Sequence, residues 1–160
     1  ASCLTAALAV GAGASGGSRE VFFAMEQWLI NKFDLSCWQA ELAELPETRP
    51  EDIWPAAGHQ AGFDPHGVNC TKPVQQTLAH LSEVGESAHL QWLQLNRAAL
   101  EASTGLPLAM TGVAAAALCD LGLTPAQGEM LHLLLCLPGA AVHALEQRDG
   151  GYKQFPFFQV

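Results

Sequence analysis

Positive charge is scarce in this chain. Seven Lys and Arg stand against 16 Asp and Glu in 160 residues, a formal charge of −9. The seven (Arg19, Lys32, Arg49, Lys72, Arg97, Arg148, Lys153) are scattered along the sequence and form no patch. Binding DNA or RNA relies on clustered cations that release counterions, so the composition argues against nucleic acid as a partner. It argues equally against a polybasic membrane anchor. Paired cysteines are missing as well. Cys3, Cys37, Cys70, Cys119 and Cys136 are odd in number and include no Cys-x-x-Cys, which points to a reducing cytoplasm rather than a disulfide framework. Cys119 and Cys136 read as small hydrophobes within apolar helices. No apolar stretch free of polar residues reaches the ~18 needed to span a bilayer, so no membrane association is expected. The opening run Ala1 to Ala14 has no initiator Met and no basic flank, and it passes directly into a helical pattern. It reads as structure rather than as a signal peptide, and the missing Met implies a true chain that starts earlier.

What is present is a core. Apolar residues make up 49% and charged residues 14%, the balance of one packed domain over 1–160 and the opposite of a disordered chain. Residues 1–12 favour a helix that ends in the glycines of 11–17. Ser18 is placed to cap an amphipathic helix in which Val21, Phe22, Met25, Trp28, Leu29 and Phe33 recur at three- and four-residue spacing. From Ser36 to Asp52 the chain turns acidic and reads as a solvated connection or a short helix. Pro55, Pro65 and Pro73 with Gly58, Gly62 and Gly67 make 54–73 an irregular loop. Helical patterns resume at about 74–84 and 86–103. A small-residue helix follows Pro107 and ends at Gly122, with a central position implied by its small side chains. Thr124-Pro125-Ala126-Gln127 is a strong helix start. The helix beyond it is apolar nearly all round to Leu137 and reads as buried. Pro138-Gly139 is expected to interrupt it before a last helix to about Gln147. No segment alternates as a strand would. The expected fold class is all-α.

Several short motifs have alternative meanings. Gly11-x-Gly13-x-x-Gly16, with Asp34 downstream, fits a dinucleotide fingerprint, yet the segment before it is helical where a Rossmann-type nucleotide binder needs a strand. There is no Gly-Lys-Ser/Thr phosphate loop. His59, Asp64, His66 and Cys70 lie close together in the loop, but at no zinc-binding spacing. Ser15, His59 and Asp64 can be drawn as a nucleophilic triad without the Gly-x-Ser-x-Gly elbow that such a serine needs. His132 and Cys136 share a helix face, and His143 reads as a packing or capping residue.

Three stretches together resemble the later part of the citrate synthase family, including its citryl-CoA lyase type. Gly11 to Met25 is similar to the family's glycine-rich turn, usually Gly-x-x-His-Gly-Gly-Ala, opening a helix. Pro55-Ala56-Ala57-Gly58-His59-Gln60-Ala61-Gly62-Phe63-Asp64-Pro65-His66 resembles its Pro-Gly-Phe-Gly-His…Asp-Pro-Arg loop. Leu106 to Gln147 resembles it best, through Ala115-Ala116, Asp120-Leu121-Gly122 and His143-Ala144-Leu145-Glu146-Gln147. The resemblance implies a multi-helical fold lacking the family's N-terminal region, with 54–73 as an active-site-like loop and 74–105 as the small-domain-like helices.

It also implies a chemistry: Claisen-type condensation of an acyl-CoA with a keto acid, or the reverse. Coenzyme A enters as a thioester substrate, and no separate cofactor or metal is implied. By position, His59 is the imidazole that polarises the keto carbonyl. The enol-stabilising His falls on Ser15, and the carboxylate base falls on Thr111. The substrate-binding positions are Gly58, Asp64, His66 and Cys136, the last two standing where the family has arginines. A threonine hydroxyl is no carboxylate base near neutral pH, and Cys136 brings no positive charge to a carboxylate. The expectation is therefore a citrate-synthase-like acyltransferase or lyase with altered chemistry, acting on an acyl-CoA and a small carboxylic acid. The alternative is a catalytically degenerate homologue, a structural or regulatory subunit that pairs as a homodimer or with an active paralogue.

Overall fold

The computed structural model describes residues 2–13, 17–44 and 58–150. Over these the chain is all-helical: α1 (Ser2–Gly11), α2 (Ser18–Asn31), α3 (Leu35–Leu42), α4 (Lys72–Ser82), α5 (Ala88–Thr104), α6 (Met110–Asp120) and α7 (Pro125–Gly150). Among the described residues there is no sheet, only an isolated antiparallel bridge between Phe63 and Leu108.

Helix α2 lies at the centre, packed against α3, α6 and α7. Its buried stripe runs through Glu20, Val21, Ala24, Met25, Gln27, Trp28 and Asn31. The small side chains of α6 let it lie close to α2, and Val113, Ala115 and Ala116 are fully buried there. Leu78 of α4 and Leu93 and Leu100 of α5 complete the core from the other side. At one end, aromatic rings fill the gap between α2, α3 and α5. Trp28 lies 4.8 Å from Trp38 and 5.4 Å from Trp92, both edge-on, an arrangement that favours ring quadrupoles.

Local signals explain most of the ends. Asp34 accepts from the Ser36 and Cys37 N–H groups and so caps α3, which is its role in place of the ribose-binding acid of a dinucleotide fold. Asp120, at the end of α6, reaches across to the start of α5 and accepts from the His89 N–H at 2.8 Å and the Leu90 N–H at 3.1 Å. Thr124 and Gln127 form the reciprocal capping pair expected from their spacing, with the Gln127 amide oxygen accepting from the Thr124 N–H at 2.9 Å.

Four expectations fail. Ser18 does not cap α2. It is the first helical residue, Gly17 occupies the cap position, and the buried Ser18 hydroxyl has no hydrogen-bond partner among the described residues. Pro138 does not end a helix, since α7 runs through it. Proline removes one N–H bond to the carbonyl four residues back, here that of Leu134, and both residues face outward where water can take over. Nor is α7 buried. Among the described residues its main packing partners are α1, α2 and α6, which leaves Met130, Leu134, Leu135, Val142 and Leu145 more than half exposed. The stretch Pro125–Glu146 is accordingly a continuous helix long and apolar enough to cross a membrane, by length and composition alone. Finally, Cys136 is exposed rather than packed in an apolar core.

Candidate functional site

The site grows from the close approach of loop 58–63 to α6. Gly62 has a φ of 87°, in the left-handed region open to glycine, and its carbonyl accepts from the Ala109 N–H at 2.9 Å. A Cβ on Gly112 would overlap the Gly62 carbonyl oxygen, so two glycines allow this loop to lie directly on the helix. The neighbour of Gly112 is Thr111, and three residues before Gly62 is His59. The backbone contact thus brings both predicted residues to the same depth, each nearly buried at 8% and 5% exposure.

Between them stands a residue the sequence reading did not single out. Glu20, in the first turn of α2, is 3% exposed. Its Oε1 accepts from the Thr111 hydroxyl at 2.8 Å and from the Gly62 N–H at 3.0 Å. The same oxygen lies 3.9 Å from His59 Nε2, which has no hydrogen-bond partner among the described residues. Thr111, through its hydrogen bond, thus holds a carboxylate, that of Glu20, beside His59. The signal was available: Glu20, Gln27 and Asn31 recur at helical spacing with Ala24 and Trp28, placing polar groups on the buried stripe.

His132 of α7 adjoins this cluster. Burial pushes its imidazole below the ordinary value of 6.5, while the charge of Glu20 acts in the opposite direction. A neighbouring polar link holds the loop: the Gln27 amide donates to Gln60 Oε1 at 3.2 Å, and the Gln60 amide donates to the carbonyls of Glu41 and Glu44 at the end of α3. A buried carboxylate beside an imidazole is an arrangement able to move a proton. Contacts of this kind are often long in ligand-free sites and tighten with substrate.

The other predicted residues do not converge on this point. Asp64 Oδ1 accepts from the His66 N–H at 2.9 Å, a local turn, and His66 itself is exposed. Gly58 is exposed, with open space around it. Cys136 lies on the outer part of α7, its sulfur 3.8 Å from His132 Nε2. Ser15 and Gly16 lie outside the described residues, as do residues 45–57, which include the start of the predicted loop. Among the described residues no three His, Cys, Asp or Glu side chains gather as a metal site. Cys119 is no nucleophile candidate, because burial and the nearby Asp120 push its thiol up to about 12.

The segment ahead of the glycine fingerprint is α1, a helix, so the strand required by a dinucleotide-binding turn is absent there. No family model matches the chain, and the searches of curated proteins and of solved structures found no match either.

Proposed function

We propose that the chain makes or breaks a carbon–carbon bond in an acyl-CoA substrate, in the manner of citrate synthase or citryl-CoA lyase, with Glu20 as the working carboxylate. The observation that carries this reading is the single Glu20 oxygen shared by Thr111, Gly62 and, at 3.9 Å, His59. In the condensing direction Glu20 takes a proton from the carbon next to the thioester carbonyl. That carbon then attacks the keto carbon of the second substrate, the new alkoxide takes its proton from His59, and water hydrolyses the thioester of the condensed product to release the CoA thiol. Cleavage runs the same transfers backward. Thr111 and the Gly62 N–H hold the carboxylate in place, since a positioned acid or base contributes about 10²–10⁴ in rate. The test is release of free CoA thiol from acetyl-CoA with a panel of keto acids, and cleavage of citryl-CoA. Turnover that falls in His59→Ala supports the reading, and unchanged turnover in that variant removes His59 from it.

A second reading rests on a different observation, the exposed apolar side of α7. A degenerate subunit that keeps the polar cluster as an internal tie would use α7 to pair with a second copy or with an active paralogue. Members of the family it resembles commonly pair. Absence of thiol release together with a defined dimer favours this reading over the first.

A further inference from the structure

We propose that a groove lined by Asn69, Lys72, Gln75 and Arg97, apart from the Glu20 cluster, binds a phosphorylated polar small molecule. The groove has a volume of about 670 Å³ and lies between the 68–70 turn, the start of α4, the C-terminal half of α5 and the 105–107 turn. That size falls within the ~300–1,000 Å³ of ordinary small-molecule sites. Two of the seven basic residues of this acidic chain, Lys72 and Arg97, line it. They are 25 positions apart in sequence, and the fold brings them to one cleft in spite of their scatter along the chain. The only carboxylate lining it, Glu101, is engaged: its Oε2 accepts from Arg97 Nη1 at 2.7 Å and its Oε1 from the Leu108 N–H at 3.0 Å. The cleft thus carries one more positive than negative side chain within a molecule of charge −9.

Lys72 also stands at the first position of α4, whose cap residue Thr71 makes no side-chain hydrogen bond to the helix. Pro73 has no N–H and the Gln75 N–H is bonded to the Thr71 carbonyl, so the first turn of α4 adds the Lys72 and Val74 N–H groups and its dipole to the charge of Lys72, a combination that favours a phosphate. Asn69 and Gln75 on the wall suit hydroxyls or ring nitrogens of the attached body, and Gln75 is fixed by donating to the Cys70 carbonyl at 2.6 Å. Cys70 brings no second anion, because burial raises its thiol pKa. This site shares no lining residue with the Glu20 cluster and does not depend on the reading of that cluster.

The experiment is an NMR amide-shift titration of the full chain with adenosine 5′-monophosphate, with adenosine and with inorganic phosphate as parallel arms. The expected result is saturable shifts at Asn69, Lys72, Val74, Gln75 and Arg97, with the monophosphate binding about tenfold more tightly than adenosine and about tenfold more weakly to Lys72→Gln. Phosphate alone giving the same shifts at lower affinity also fits. Equal affinity for adenosine and its monophosphate, unchanged affinity in Lys72→Gln, or no saturation by about 1 mM overturns the proposal. Lys72 is exposed and in no described ion pair, so its variant tests the site without unfolding the chain.

Discussion

At the scale of single residues, Glu20 is the hinge of the account. His59 and Thr111 stood out through resemblance, whereas Glu20 hid in a helix whose first turn is an ordinary place for an acid. What the sequence could not convey is depth: only the Gly62–Gly112 approach decides that position 20 faces inward to a hydroxyl and an N–H. Thr111→Val removes a buried hydrogen bond to a carboxylate and is expected to cost about 1–3 kcal/mol in urea unfolding, while an unchanged midpoint contradicts the contact. His132 gives a pH signature. Its folded-state pKa lies below the ordinary 6.5, so the folded state disfavours the proton. The stability tied to its neutral form is complete above 6.5 and declines as the pH falls below it. The groups bearing on it are Glu20 on α2, which moderates the shift, and Cys136 one turn along α7. Thermal midpoints from pH 7.5 to 5.5 are expected to fall less in His132→Gln than in the wild type; equal declines remove the assignment.

At the scale of elements, helix existence and the central place of α6 were readable, and the exposure of α7 was not. Helical patterning placed α2, α4 and α5, the run of small residues between Pro107 and Gly122 placed α6, and the Thr124–Gln127 pair placed the start of α7. The apolar circumference of α7 implied a buried helix, but burial depends on how many neighbours the fold supplies, and α1, α2 and α6 reach only part of it. Pro138 likewise misleads because a proline breaks a helix only when the freed carbonyl has nowhere to turn. The 58–63 loop was recognisable as irregular from its prolines and glycines, but its seat on α6 depends on a non-local approach. Gly112→Ala puts a methyl group against the Gly62 carbonyl and is expected to destabilise by about 1–3 kcal/mol. Chemical denaturation reads this directly, and a neutral effect means that the loop does not lie on the helix as described.

At the scale of the whole molecule, two features have no counterpart in composition. Charge is one: an acidic chain with seven scattered cations still assembles a locally positive groove around Lys72 and Arg97. The other is the face of α7 that the described residues leave uncovered, where Leu134 and Leu135 are 57% and 63% exposed. A contiguous apolar face of that kind marks a surface for association. Light scattering is expected to give a dimer for the wild type and a monomer for the Leu134→Glu, Leu135→Glu double variant; a wild-type monomer contradicts pairing through α7.

The acid–base role proposed for the buried carboxylate is tested most directly by citryl-CoA cleavage, followed as release of the keto acid, in the wild type and in Glu20→Gln side by side. The account predicts cleavage by the wild type and a loss of about 10²–10⁴ in the variant, with its circular dichroism unchanged. Cleavage no faster than in buffer, or equal rates in the two proteins, contradicts it.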